Sequence, residues 1–346
     1  MATKQAVPLL AGALRPGGLV SGALGASCAG WRAYTTKVDI GALKRLRQLN
    51  PVALSKAKEA LLASSNSIDR ALEWLEKDAL AAGAQKADKV KDRVACEGVI
   101  AVHVDEARTA ASIVELSCET DFVARNAAFV DLATGIATAG AAFAGSGLGA
   151  GAGASLTSIE IGRLAAAALE GRTVADAVTE SIGRLGENIV LRRAVTVGAL
   201  GATGSIAVGG YVHGAVAGTR GGSAGKIGGL VALRGVARDA EHRGMLCQLA
   251  KRLAQQVVGY APRYATHADW ERAKAAGADV GDPEATVLEA QQFLFGGGTV
   301  AAVLAKLSTN LASPVEVASF VRFARGEGIE KPARPDFAEE VRRQLA

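Results

Sequence analysis

Beyond residue 93 the apolar residues change period in the same order twice. "GVIAVHV" (Gly98 to Val104) and "ASIVELSC" (Ala111 to Cys118) are strand-like runs joined by a polar stretch and read as a hairpin, after which "AAFVDLATGIA" sets Phe129, Leu132, Ala133 and Ile136 at helical spacing. A helix around Arg172 to Leu185 and a strand in "ENIVLRRAVTV" follow. The order then recurs: "SIAVGGYVHG" and "GKIGGLVALRG" form a second candidate hairpin, "RGMLCQLAKRLAQQVVG" puts Leu246, Leu249, Leu253 and Val257 on one helix face, and "VASFVRFA" is a late strand. A strand pair followed by a helix, twice over, argues for two α+β subdomains with antiparallel sheets rather than a doubly wound parallel sheet.

The residues before this pattern are helical. Ile40, Leu43 and Leu46 recur at three-residue steps, Pro51 breaks the run, Leu54, Ala57 and Leu61 resume a face, and Ile68, Ala71, Leu72 and Leu75 form a third, with Asn66 available as its N-cap. The expected organisation is therefore a small three-helix domain over 38–80, a charged, Ala-rich linker over 81–93, an N-terminal α+β subdomain over 94–198 and a C-terminal one with a tail over 199–346. A chain of 346 residues exceeds what one hydrophobic core usually serves, which fits this division. Two Gly-rich stretches, "AGAAFAGSGLGAGAGAS" and "AVAGTRGGSAG", lack apolar periodicity and read as surface loops.

Residues 1–37 differ from the rest. They carry Lys4, Arg15, Arg32 and Lys37, several hydroxyl residues and no acid before Asp39, the composition of a mitochondrial targeting segment. These four cations supply most of the formal charge of +5, so the remainder carries only +1 and the basic balance is no footprint of nucleic-acid binding. Every long apolar run is interrupted by Gly, polar or charged residues, which argues against a membrane span. The cysteines, Cys28, Cys96, Cys118 and Cys247, form no CxxC pair, which argues against a zinc site and fits a reducing interior.

Catalytic and cofactor signatures fail on inspection. "TRGGSAGKI" (Thr219 to Ile227) resembles a phosphate loop, but Arg220 stands where the motif needs Gly, Ile227 where it needs a hydroxyl, and Lys226 opens a strand. His103, His213, His242 and His267 have no metal-binding spacing, and no GxSxG elbow occurs. No cofactor or metal is expected, and a binding protein is favoured over an enzyme.

In "CETDFVARN" (Cys118 to Asn126), Asp121 and Phe122 fall at a strand-to-helix junction. One reading makes Thr120 or Asp121 a helix N-cap and Phe122 a core residue; the other makes Phe122 an aromatic anchor for a partner. Pattern alone leaves both open.

The run "LSCETDFVARNAAFVDLA" resembles the signature of the elongation factor Ts family, exchange factors for elongation factor Tu. "SKAKEALLASSNSIDRALEWL", "CEGVIAVHV", "IGRLGENIVLRRA", "YVHG", "KIGGLVAL" and "FVRFARGEGIEK" match that family in order, covering about Val38 to Arg342. The resemblance implies a ubiquitin-associated-like N-terminal domain, and partner contacts at Thr120, Asp121, Phe122 and Val123. In the family this Phe wedges between helices of elongation factor Tu near its magnesium site and loosens GDP. His213, in "YVHG", is a further implied contact. With the leader, the resemblance implies the mitochondrial matrix and mitochondrial elongation factor Tu, nucleotide-free or with GDP, as partner; nucleic acid and membrane are not expected. The corner "LNPVAL" departs from the family's usual Gly-bearing turn, and no heptad pattern between Gly259 and Gly298 supports the coiled-coil hairpin of bacterial members. A ubiquitin-like-binding adaptor is the alternative that the N-terminal helices alone allow.

Overall fold

The computed structural model describes residues 37–50, 52–144, 155–198, 206–216 and 223–330. The targeting-like segment up to residue 36, most of the two Gly-rich stretches and the final tail lie outside them. The fold is α+β, and the described residues fall into two compact units, 1–71 and 72–346.

In the first unit, α1 (Ile40–Leu49) and α2 (Leu54–Ala63) lead into the start of α3 (Ile68–Val90). Asp39 caps α1, its carboxylate accepting the Gly41 and Ala42 N–H groups. Ala42, Leu46, Ala57, Ala60 and Leu61 are the buried face. Asn66 does not cap α3: a left-handed φ of 63° takes it out of N-cap geometry, and its amide bonds the Lys37 carbonyl and the Asp39 N–H instead.

The expected linker is helical, since α3 runs on to Val90. Its Ala, Lys and Gln residues favour helix. The helix lies so close to α7 (described below) that a Cβ on Gly83 would fall 2.5 Å from the Thr179 carbonyl oxygen, and one on Gly183 would fall 3.0 Å from the Gly83 Cα. Contact through glycine leaves no apolar stripe, which is why the period showed none.

The second unit continues with β1 (Glu97–Val104), β2 (Ala110–Cys118), α4 (Asp121–Ala124), α5 (Ala127–Ala141), β3 (Ser155–Ser158), α6 (Ile161–Ala165), β4 (Ala168–Leu169), β5 (Arg172–Thr173), α7 (Val174–Leu185) and β6 (Val190–Gly198). After it come β7 (Ile206–His213), β8 (Ser223–Gly225), β9 (Ile227–Arg234), α8 (Ala240–Tyr260), α9 (His267–Ala275), α10 (Pro283–Thr286), a 3-10 turn at Leu288–Ala290, α11 (Val300–Leu311) and β10 (Glu316–Ala324). Between α8 and α11 the described helices, α9 and α10, are short.

The strands form an antiparallel five-stranded sheet in the order β3-β6-β2-β1-β8 and an antiparallel three-stranded sheet in the order β10-β9-β7, with a small β4-β5 ribbon. Both expected hairpins are present as β1-β2 and β7-β9. Alternation along the strands explains the layering. Val99, Ala101, Val114 and Leu116 face the α5 residues Phe129, Val130, Ala133 and Ile136. Their neighbours Ile100, Val102, Ala111 and Ile113 face the second sheet, meeting Ile206, Val208, Leu230 and Phe323. The far side of that sheet, through Ala207, Val231 and Leu233, packs on Leu246, Leu249 and Leu253 of α8 and Leu304 of α11. The order is thus helices, sheet, sheet, helices. Gly209 permits the last contact, since a Cβ there would lie 2.2 Å from the Ala250 carbonyl carbon.

A carboxylate ties the end of β10 to the first sheet. Buried Glu115 in β2 accepts hydrogen bonds from Arg192 at 3.0 and 3.1 Å, from Arg193 Nε at 2.5 Å and from the Gly326 N–H at 2.7 Å. Arg193 also reaches the Glu327 carboxylate at 3.0 Å and lies over the Phe323 ring. Burial pushes the Glu327 carboxyl up, but the bond from Arg193 and the charges of Arg193 and Arg322 outweigh it and hold the group below its ordinary value.

Candidate functional site: a braced turn and the cleft beside it

The turn from Thr120 to Arg125 is too short to be stable as an isolated helix. Side-chain bonds from distant segments hold it. Thr120 is the N-cap of α4, its hydroxyl accepting the Val123 N–H at 3.4 Å. The same hydroxyl donates to Glu187 Oε1 at 2.5 Å, and Glu187 Oε2 accepts the N–H groups of Glu119 and Thr120 at 3.1 and 2.9 Å. Glu119 in return accepts the Asn188 N–H at 2.7 Å, and the Asn188 amide donates to the carbonyls of Lys91 and Arg93. The root of the turn is also dry. Cys118 is buried, and burial, reinforced by Glu187 and Glu97, pushes its thiol from an ordinary 9.0 up to about 12.

On this base the side chains of the turn diverge. Val123 is buried in the first core and anchors the turn. Thr120 is half-buried in the Glu187 bonds. Asp121 is half-buried and pairs with Arg125, whose Nε also donates to the Asp121 carbonyl at 3.1 Å. Phe122 is 80% exposed, and no ring contact is found for it among the described residues. The N-cap half of the first sequence reading therefore holds and its core half does not. Pointing Phe122 into water sacrifices burial that elsewhere stabilises by roughly 1.5–3 kcal/mol.

His213 is exposed at the end of β7, its carbonyl accepting the Lys226 N–H at 3.0 Å. The turn after it and the turn of α4 meet at one cleft of about 360 Å³, lined by Gly98, Val99, Asp121, Ala124, Arg125, Gly214 to Val216, Gly225, Lys226 and Arg325. Asp121 thus shares a cleft with the segment following His213, whereas Phe122 and His213 are not among its lining residues. Lys226 stands between β8 and β9, with no helix N-terminus behind it, so the phosphate-loop resemblance has no structural support. Among the described residues no group of three or more His, Cys, Asp or Glu could hold a metal ion, and no helix is long and apolar enough to cross a membrane.

Glu119, Glu187 and Asn188 are the site residues the sequence reading did not single out. The only local signal was that Glu187 and Asn188 stand in "GENI", a matched segment.

A family model described as Elongation factor TS matches residues 119–277, a span that contains the turn, its brace and the cleft's Lys226. Elongation factor Ts of Rhodospirillum rubrum is 34% identical over 342 residues, covering 89% of this chain and 99% of the relative. The chain belongs to the elongation factor Ts family. A mitochondrial elongation factor Ts of the fungus Coprinopsis cinerea is 35% identical over 255 residues, 66% of this chain and 75% of its own length. Elongation factor Ts of Clostridium perfringens is 31% identical over 327 residues, covering 87% and 96%. Membership carries a role in translation elongation.

Proposed function

We propose that the chain is a guanine-nucleotide exchange factor for elongation factor Tu and that Phe122, with Asp121 beside it, is the group it presses into that partner. The observation that carries this reading is an aromatic side chain left in water on a turn fixed by five side-chain hydrogen bonds to Glu187 and Glu119 or within its cap. A rigid, exposed aromatic can enter a partner without first paying to order itself, and aromatics dominate interface energetics. Displacing elements around the partner's magnesium weakens GDP. By linkage, a factor that weakens GDP binding is itself weakened by GDP to the same extent, so this chain binds the nucleotide-free partner best. Thr120 and Val123 hold the turn rather than touch the partner. On the three-helix unit, exposed Ile40, Leu49, Leu54 and Leu62 are available for a second contact. We assign the protein to the mitochondrial matrix on the composition of its leader and its likeness to the fungal mitochondrial relative.

The deciding measurement is release of labelled GDP from mitochondrial elongation factor Tu with and without this chain. Acceleration is expected; an unchanged release rate overturns the reading. A fluorescent fusion to residues 1–37 that stays outside mitochondria would overturn the localisation separately.

A further inference from the structure

We infer that the cleft between α4 and the turns after β7 and β8 receives an acidic side chain of the protein partner, and that Lys226 is the residue that selects it. This rests on the exchange-factor reading and adds to it a second, electrostatic contact beside Phe122.

The cleft has room for a side chain. At about 360 Å³, it has a floor and walls made of Gly98, Val99, Ala124, Val216 and Gly225, which offer apolar surface to a methylene stem. These walls are fixed by close approaches: a Cβ on Gly98 would meet the Leu116 carbonyl oxygen at 2.2 Å, and one on Gly225 would meet the Gly214 and His213 carbonyl oxygens at 2.8 Å.

Charge selects the occupant. The polar lining is Arg125, Lys226 and Arg325 against one carboxylate, Asp121. Two of the cations are already engaged, Arg125 with Asp121 and Arg325 with Glu97 at 2.9 Å. Lys226 makes no ion pair among the described residues. Its stem is held over Gly214, where φ is +66° and a Cβ would stand 3.2 Å from the Lys226 Cγ. The stem is thus supported on the turn, and the ammonium remains as the uncompensated charge of the cleft. A carboxylate entering beside it gains a partner, whereas a cation meets repulsion. Asp121 keeps the total positive charge low, which favours one carboxylate over a polyanion.

The test measures affinity for nucleotide-free elongation factor Tu at low and high salt, with wild type, Lys226→Ala and Lys226→Glu, each checked by thermal melting. Lys226 is exposed, so both variants are expected to fold. Loss of one partly exposed pair should weaken binding about two- to fivefold in Lys226→Ala. Lys226→Glu should weaken it about tenfold or more, chiefly through slower association, with the deficit shrinking as salt rises. In both, raising the variant's concentration should recover fast GDP release, whereas Phe122→Ala should remain slow at saturation. Lys226→Glu binding as tightly as wild type at low salt overturns the inference while leaving the exchange reading intact. So does loss of binding to a polyanion such as tRNA with partner affinity unchanged. A wild-type chain that fails to accelerate GDP release removes the exchange reading itself.

Discussion

Two exposed aromatic residues, Phe122 and Phe295, stand on short braced segments of the second unit, yet they are not equivalent. Phe295 is 46% exposed, and its ring meets Phe293 edge-on at 5.4 Å and lies beneath Arg252, also at 5.4 Å. Buried Gln256 holds that loop, accepting the Leu294 N–H at 2.9 Å and donating to the Gln292 carbonyl at 3.1 Å. Phe122 has a comparable brace in Glu187 but no ring partner among the described residues. Exposure alone therefore does not distinguish a contact residue. What separates them is that the fold gives Phe295 company of its own and gives Phe122 none.

The comparison breaks most readily at Phe122. Phe122→Ala should slow GDP release at least tenfold, since truncating an aromatic anchor commonly costs ~2 kcal/mol or more, and should leave the thermal midpoint nearly unchanged because the ring is in water. A normal release rate with an intact fold would remove Phe122 from the role. Glu187→Ala tests the brace. It strands the N–H groups of Glu119 and Thr120, so a stability loss of about 1–3 kcal/mol in urea unfolding is expected, with a smaller slowing of GDP release than in Phe122→Ala. If release is untouched while stability falls, the turn does not need its brace to work. Phe295→Ala should leave exchange unaltered and cost stability about 1 kcal/mol or less, the scale of a surface cation–π contact. An exchange defect as large as that of Phe122→Ala would erase the distinction between the two rings.

The smallest expected effect concerns the dry root of the turn. The Cys118 thiol is raised in the folded protein above its ordinary 9.0 to about 12, so the folded state holds this proton more tightly than the unfolded chain does. Its stabilising contribution is complete below about pH 9 and is lost as pH rises toward 12. Urea midpoints at pH 7 and pH 10 should show a decline that is shallower in Cys118→Ala. Equal slopes would mean that water reaches the base of α4.

Much of this architecture is written in short-range pattern. The strand pairs, α5 and α8 follow from periods of two and of three to four residues, and Thr120 as a cap follows from its residue type and position. The direction of Phe122 does not. It depends on Glu187, which grips Thr120 from 67 residues away in sequence, and on Val123 taking the core position beside it. Arg325 is brought to the cleft by long-range bonds: its N–H donates to the Lys226 carbonyl at 3.0 Å, and the adjoining Gly326 N–H is gripped by Glu115, 211 residues distant. Continuation of α3 through the expected linker was likewise invisible to a search for apolar stripes, since its contact with α7 is made by Gly83 and Gly183. Pattern thus exposes elements that bury side chains, and misses those held by polar bonds or backbone contact.

Lys226 also has a mechanical position. The residue before it, Gly225, is hydrogen-bonded into the first sheet opposite Ile100, and the residue after it, Ile227, is bonded into the second opposite His213. A single residue therefore stitches the two sheets together, and one layer cannot slide past the other without tearing main-chain bonds at this seam. The two rims of the cleft are sewn to opposite sides of that stitch, so thermal shear that would blur a binding surface made of two layers is damped where they meet.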